Sequence, residues 1–401
     1  MNLIFFDDSG IRSNMLPFTF TRPLADIRIG ILTIREKWEN IFSVKSSDLT
    51  VDYLSEKFPC VAGDDNILIN GALIPDTKIL EEIRNLKPGT SLSSGKTFLA
   101  SRVDSIFFKN KISIEDIPFP QPIEYASDPV MIRHSWDIFS LNGKAISNDF
   151  KLITAGRKSI SLSTTNQIIG DKELLFLEEG AKVECSVINT IGGCVYIGKH
   201  AEIMEGSLIR GPFSLGEHSA VKMGAKIYGP TTIGPYSKVG GEINNSVIFG
   251  YSNKAHDGFL GNAVIGEWCN LGADTNNSNL KNNYSSVKMW NYATESFVDT
   301  GLQFCGLMMG DHSKSAINTM FNTGTVVGVS ANIFGFGFPS KLVPSFSWDG
   351  ADELATFSFE QACDVASKVM ERRGKLFSET EKRILQHVFS LTSKHRHWEK
   401  V

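Results

Sequence analysis

One histidine stands where acyl transfer would need it. His256 lies in the run Lys254-Ala255-His256-Asp257-Gly258-Phe259-Leu260-Gly261-Asn262, between two stretches of regularly spaced aliphatic residues. Moving an acyl group from a thioester to an amine requires a base that takes the amine's proton. A neutral imidazole titrates near working pH, and such a base contributes ~10²–10⁴-fold in rate. A second set of residues suits phosphate. The apolar run 4–6 is followed by Asp7-Asp8-Ser9-Gly10-Ile11-Arg12, with Arg22-Pro23 ten residues beyond Arg12. Backbone N–H groups after a strand can cradle an anion, and a guanidinium grips phosphate oxygens two at a time.

The elements that position these groups follow from hydrophobic spacing. Ile197, Ile203, Ile209, Leu215, Val221, Ile227, Ile233 and Val239 stand six apart. Four residues after each comes Ala201, Ser207, Phe213, Ser219, Ala225, Thr231, Ser237 or Ile243, mostly small, and glycine directly follows the aliphatic residue at Gly198, Gly216 and Gly234. A period of six that closes at 18 describes a triangular coil of three short strands, the hexapeptide repeat of a left-handed parallel β-helix. The aliphatic residues fill the prism, and the glycines are expected to take turn conformations that other residues resist. Asn244-Asn245 breaks the frame, which returns at Phe249, Leu260, Ile265 and Leu271, and again at Met309, Phe321, Val327 and Ile333, with Ser315 out of pattern. The polar stretch 276–284 reads as a loop leaving the prism.

Residues 1–125 read as a shortened α/β domain, with strands at 4–6, 67–69, 97–100 and 105–108 and helices over 31–42 and 79–86. Residues 126–150 form a connector with a helix near 136–141, residues 151–346 the β-helix, and residues 347–401 a tail of two helices, 359–373 and 380–393, split at Gly374. The run Ser378-Glu379-Thr380-Glu381 is a candidate cap for the second.

The 401 residues suffice for two or three domains, and the net charge of −4 gives no pull toward nucleic acid or anionic membrane. No apolar run nears the ~20 residues of a membrane span, and no secretory signal is visible at the start. The six cysteines (Cys60, Cys185, Cys194, Cys269, Cys305, Cys363) form no Cys-x-x-Cys pair. The expectation is therefore a cytoplasmic protein with neither a zinc site nor a disulfide framework.

The opening loop resembles the signature loop of sugar-nucleotide pyrophosphorylases. By that resemblance Ser9, Gly10, Arg12 and Arg22 hold a nucleoside triphosphate, with Arg12 at the position of the catalytic arginine. Asn70-Gly71, after a strand, stands nearest the family's second Gly-Asp motif, and Leu24 replaces a family lysine. Nucleotidyl transfer uses a divalent ion such as Mg²⁺, and hence a carboxylate; Asp7, Asp8 and Asp76 are the candidates, and spacing does not choose among them.

Residues 254–283 resemble the acetyltransferase half of the bifunctional N-acetylglucosamine-1-phosphate uridylyltransferase/glucosamine-1-phosphate acetyltransferase family. The matching pieces are His256, Leu260-Gly261-Asn262, Ile265-Gly266 and Asn270-Leu271-Gly272-Ala273-Asp274-Thr275. The resemblance implies His256 as general base, Asn279 as the loop residue contacting substrate or acetyl group, acetyl-CoA as co-substrate, and a homotrimer. Phe259 replaces a family tyrosine, and Asn244 a sugar-phosphate lysine, so phosphate must find Arg210, Lys222 or Lys254. The whole layout resembles a bacterial group of sugar nucleotidyltransferases of that bifunctional type. The implied activity is sugar-1-phosphate nucleotidyl transfer coupled to N-acetylation of an amino-sugar phosphate. Two alternatives stay open: an acyltransferase whose N-terminal domain only binds a nucleotide sugar, and a trimeric scaffold.

Overall fold

The computed structural model describes residues 2–108, 117, 119–350 and 354–399. It divides into two compact units: Met1–Met15, Thr21–Ile27 and Leu32–His134 form the first; Leu16–Phe20, Arg28–Ile31 and Ser135–Val401 form the second.

In the first unit, strand β1 (Asn2–Phe6) leads into the short helix α1 (Ser9–Asn14), then α2 (Ile34–Phe42), β2 (Ser46–Leu49), α3 (Asp52–Ser55), β3 (Asp65–Asn70), α4 (Thr77–Asn85), β4 (Thr90–Ser94), β5 (Thr97–Asp104) and β6 (Pro122–Glu124). The sheet order is β2-β1-β3-β5-β4-β6. β1 is parallel to β2 and β3, whereas β5 runs antiparallel to β3 and β4. Two sequence expectations shift. Helix α2 starts at Ile34, because Thr33 and Glu36 close a capping box that fixes the boundary. Ser105–Phe108 is a 3₁₀ turn, not a strand, since the Asp104 carboxylate accepts the Ile106 N–H and bends the chain.

The second unit opens with helix α5 (Asp137–Thr154), which is longer than the expected 136–141. It packs on the coil strand Thr231–Ile233, where a Cβ on Gly143 would press on Pro230 at 3.2 Å. The coil itself is a parallel β-helix of three faces. The first face has six strands, from Gln167–Ile169 to Phe259–Gly261. The second has nine, from Leu175–Leu177 to Leu342–Val343. The third has ten, from Lys182–Val183 to Leu354–Thr356, the last of them antiparallel to its neighbour. Val195 pairs with Phe213 and Phe213 with Thr231, the 18-residue step read from the sequence. All eight hexad aliphatics are at most 1% exposed and form one continuous column, so the period marks the core directly.

The glycines act differently from expectation. Gly198, Gly216 and Gly234 do not have positive φ; a Cβ on Gly234 would lie 1.9 Å from the Phe249 carbonyl oxygen, and one on Gly216 2.6 Å from the Pro235 nitrogen. They are required by the close approach of the next coil. The left-handed corner falls two residues later, on His200, His218, Tyr236, Tyr251, Trp268 and His312, with φ between 52° and 62°. These side chains stack into a ladder along one corner, with ring centroids 5.0, 4.8, 5.1, 4.3 and 6.3 Å apart. Ser315 keeps the frame, its buried hydroxyl satisfied by Thr275 at 3.0 Å. Asn276–Asn277 belongs to the prism, pairing with Met320–Phe321; the excursion leaves after it and carries the hairpin Lys288–Asn291/Ser296–Asp299. The tail consists of α6 (Phe359–Glu371) and α7 (Glu379–Leu391), the latter opened by the Ser378/Glu381 capping box.

Candidate active site

In the first unit the signature loop is tied to itself. Asp8 caps α1, accepting the Ile11 N–H at 3.0 Å, with Ser9 and Gly10 in its first turn. Arg12 is 6% exposed and donates to Asp7 Oδ2 (2.8 Å), the Arg22 carbonyl (3.1 Å) and Tyr53 Oη (3.1 Å). Asp7, 2% exposed, also accepts from the Leu24 N–H (2.8 Å) and Thr50 Oγ1 (2.6 Å). Arg22 is buried as well. Asn70 binds the Phe98 carbonyl and the Ala72 N–H, and a Cβ on Gly71 would press on Leu24 and Ala25, so this pair ties strands to the loop. Thr50 and Tyr53, which complete the network, carry no sequence signal. Asp76 caps α4.

Of the metal candidates, Asp7 has its carboxylate engaged by three donors, while Asp8 keeps one oxygen outside its cap bond. Among the described residues no group of three His, Cys, Asp or Glu side chains is placed to hold a metal ion. A cavity of about 170 Å³ lined by Phe6, Asp7, Asp8, Ser9, Phe98, Ile117 and Phe119 opens at the end of β1. Ordinary ligand sites span about 300–1,000 Å³.

His256 sits in the second unit, on the turn between the third-face strand Asn253–Lys254 and the first-face strand Phe259–Gly261. The turn needs Gly258, whose φ is 112° and whose Cβ would lie 2.3 Å from the Thr275 carbonyl oxygen. The imidazole is exposed and makes no hydrogen bond among the described residues. Beneath it is Lys254. It pairs in register with the core residue Val239, is 1% exposed, and points into the prism. Its ammonium donates to the carbonyls of His256 (2.6 Å) and Asp257 (2.7 Å). Burial pushes its pKa down from 10.5 to about 8. Lys254 is therefore placed as an internal brace for the histidine turn, where the sequence offered it as one of three candidate phosphate cations.

On the third face a cleft of about 770 Å³ reaches from His256 to helix α6. Lys222, Lys238, Lys314, Arg372 and Arg373 line it, together with Asn270, Tyr251 and Trp268, and among the described residues no carboxylate does. Burial and the neighbouring Arg373, Lys222 and Arg372 push the Lys238 pKa down. Of these cations the sequence reading singled out only Lys222. On the first face Phe259 and Asn279 meet over Gly261, and the Asn279 amide donates to Asn262 Oδ1 at 2.8 Å. Arg210 is exposed on that face and is not part of the cleft. The predicted residues thus fall into three groups: a closed N-terminal network, a corner histidine between two polar patches, and an isolated arginine.

Comparison with known proteins adds a family and a relative. Residues 3–158 match the sugar nucleotidyl transferase family model. A bifunctional sugar-1-phosphate nucleotidylyltransferase/acetyltransferase from Sulfurisphaera tokodaii is 30% identical over 214 residues, which cover 53% of this chain and 46% of the relative. This chain therefore spans about half the length of the relative it matches. Among solved structures, a hexapeptide transferase family protein from Anaplasma phagocytophilum aligns at 16% identity over 54% of this chain and 92% of that one, with a TM-score of 0.16. The Arabidopsis UDP-N-acetylglucosamine acyltransferase aligns at 16% identity over 58% and 90%, with a TM-score of 0.21.

Proposed function

We propose that this chain is a transferase that joins sugar-1-phosphate nucleotidyl transfer to acetyl-CoA-dependent N-acetylation of an amino-sugar phosphate. The observation that carries the reading is the exposed His256 at the rim of a cation-lined cleft, in a chain 30% identical to a nucleotidylyltransferase/acetyltransferase over 214 residues. His256 takes the proton from the sugar amine as the nitrogen attacks the thioester carbonyl. The C–N bond forms, the C–S bond breaks, and coenzyme A leaves as the thiol. Asn279, anchored by Asn262 beside Phe259, orients the acyl carbonyl or the acceptor. Lys254 keeps the turn from drifting.

In the first unit, Ser9, Gly10, Arg12, Arg22, Asn70 and Gly71 form the nucleoside triphosphate loop. The sugar phosphate oxygen attacks the α-phosphorus and pyrophosphate departs. Asp8 is the carboxylate with an oxygen available to Mg²⁺, which would spread the phosphate charge. Arg12 reaches a triphosphate only by exchanging its Asp7 contact. The exposed Leu208 (50%) and Tyr228 (38%) on the first face support a homotrimer joined there; light scattering should give three times 44.2 kDa. Free thiols, two of them exposed, fit a reducing cytoplasm, and no helix among the described residues is long and apolar enough to cross a membrane.

A second reading, acyl transfer alone with a nucleotide-sugar-binding first unit, is favoured by the closed Asp7–Arg12 network and the small cavity beside it. Incubation with labelled nucleoside triphosphates, a panel of sugar 1-phosphates and Mg²⁺ separates the two. Pyrophosphate release supports the coupled enzyme, and none in any combination leaves only the acyltransferase.

A further inference from the structure

Helix α2 sends one side chain to the signature loop that lies outside the signature itself. Arg35 is in the first turn of that helix, whose start is fixed by the Thr33/Glu36 capping box. Its guanidinium crosses the Phe5 ring of β1, 5.3 Å from the centroid, and reaches two places. On β2, one terminal nitrogen donates to Ser46 Oγ at 2.7 Å, and the other to Asp48 Oδ1 at 2.7 Å and Oδ2 at 2.6 Å. On the 3₁₀ turn Leu24–Asp26, Nε donates to Asp26 Oδ1 at 2.5 Å. All three nitrogens are engaged, in the planar fork that a guanidinium offers and an ammonium does not.

The partners put this clamp at the loop. Asp26 stands four residues beyond Arg22, and Asp48 two before Thr50. The stretch from Arg22 to Asp26 is therefore held twice. Near its start, the Arg22 carbonyl accepts from Arg12 at 3.1 Å, and the Leu24 N–H donates to Asp7 Oδ1 at 2.8 Å. At its end, Asp26 is held by Arg35. Strand β2 backs both holds: Asp7 donates its N–H to the Leu49 carbonyl and accepts from Thr50 Oγ1, while Asp48, 4% exposed, anchors Arg35.

A triphosphate treats the two holds differently. Arg12 meets the phosphates by giving up Asp7, so the ligand itself loosens the first hold. The bonds of Arg35 to Asp26, Ser46 and Asp48 use neither Arg12 nor Asp7 and outlast that exchange. We infer that Arg35 is a positioning residue for the triphosphate loop: through Asp26 it keeps the Arg22–Asp26 stretch in register on β2 while Arg12 changes partner. This role rests on the nucleotide-binding reading of the first unit and adds to it a residue that touches no substrate. Its effect is to reduce the ordering that the ligand must otherwise impose on the loop. A clamp with a structural role alone would lower the unfolding midpoint and leave the affinity of the folded chain unchanged.

The test titrates the full chain, with Mg²⁺, by calorimetry with ATP, CTP, GTP, UTP and dTTP, and carries the tightest-binding nucleotide into the variants, each measured well below its own unfolding midpoint. Arg35→Lys keeps the charge and loses the fork, and Asp26→Asn releases only the loop end. Arg102→Gln, which breaks a half-exposed pair with Asp65 in the same sheet, is the control. The Kd should rise about tenfold in Arg35→Lys and in Asp26→Asn, and stay within about twofold in Arg102→Gln. Both changes break one hold, so the double variant Arg35→Lys/Asp26→Asn should bind no more weakly than the worse single. Methylguanidinium at millimolar concentration should restore part of the affinity to Arg35→Ala and leave the unsubstituted chain as it was; where that variant does not fold, the lysine and asparagine variants decide. An unchanged Kd in folded Arg35→Lys and Asp26→Asn overturns the clamp and keeps the nucleotide reading, as do losses that add in the double variant. A chain that binds none of the five nucleotides removes the reading and the clamp together. A Kd that shifts as expected in a chain releasing no pyrophosphate keeps the clamp and removes the nucleotidyl transfer.

Discussion

Asp7 and Arg12 meet each other inside the first unit, whereas the lysines and arginines that line the third-face cleft pair with no carboxylate among the described residues. Both regions are rich in groups that bind phosphate. In the first, every oxygen of Asp7 and the Arg12 guanidinium have internal partners, so the charge holds the loop in shape. In the second, the fold brings cations together against their mutual repulsion, and no carboxylate among the described residues pairs with them. These cations are half-buried or exposed and stay in contact with water, so they do not carry the cost of a buried unpaired charge. Residue type alone does not separate structural from binding charge; the presence or absence of an internal partner does.

The largest effect is expected at the corner. His256→Ala should lower acetyl-transfer kcat by ~10²–10⁴-fold with an unchanged melting midpoint, because an exposed base is removed and no core volume is lost. A variant retaining a tenth of the rate would take the base role away from this residue. Next comes the closed network: Asp7→Ala leaves Arg12 buried and unmatched, and urea unfolding should show a loss of about 3–5 kcal/mol. A loss below about 1 kcal/mol would erase the contrast between the regions.

Lys254 then sharpens it as a cation buried by the prism itself. Its folded pKa, about 8, lies below the 10.5 of the exposed side chain. The unfolded chain therefore binds more protons between those values, and this group's contribution to stability rises with pH from about 8 to 10.5, by up to about 3 kcal/mol. Lys254→Met should flatten that rise in denaturant titrations across the window. The smallest effect is kinetic. The same variant should lower kcat about tenfold and spare binding of coenzyme A, since a loosened turn misplaces the imidazole. An unchanged kcat would reduce the lysine to a packing residue.

The aliphatic column was legible because burial along a period of six leaves a direct trace, and even Ser315 obeys it once Thr275 is seen beside it. The inward placement of Lys254 was hidden for a specific reason. Val221 and Val239 are 18 apart, but Lys238 pairs with Asn253, 15 residues on, so the short coil turns Lys254 inward where an 18-residue coil would have faced it elsewhere. The cleft was not legible. Asn270 pairs with Lys314 across the excursion, and Arg372 and Arg373 arrive from the tail, so no local spacing links them. The N-terminal loop showed its residue types but not that Thr50 and Tyr53 had closed the network.

The column of stacked rings gives the molecule an optical use. Trp268 lies face to face with Tyr251 and borders the third-face cleft, so its emission should change when a guest displaces water there. Subtracting the spectrum of a Trp268→Phe protein isolates that signal from the other five indoles. Occupancy can then be followed in a cuvette by intrinsic light alone, without a label.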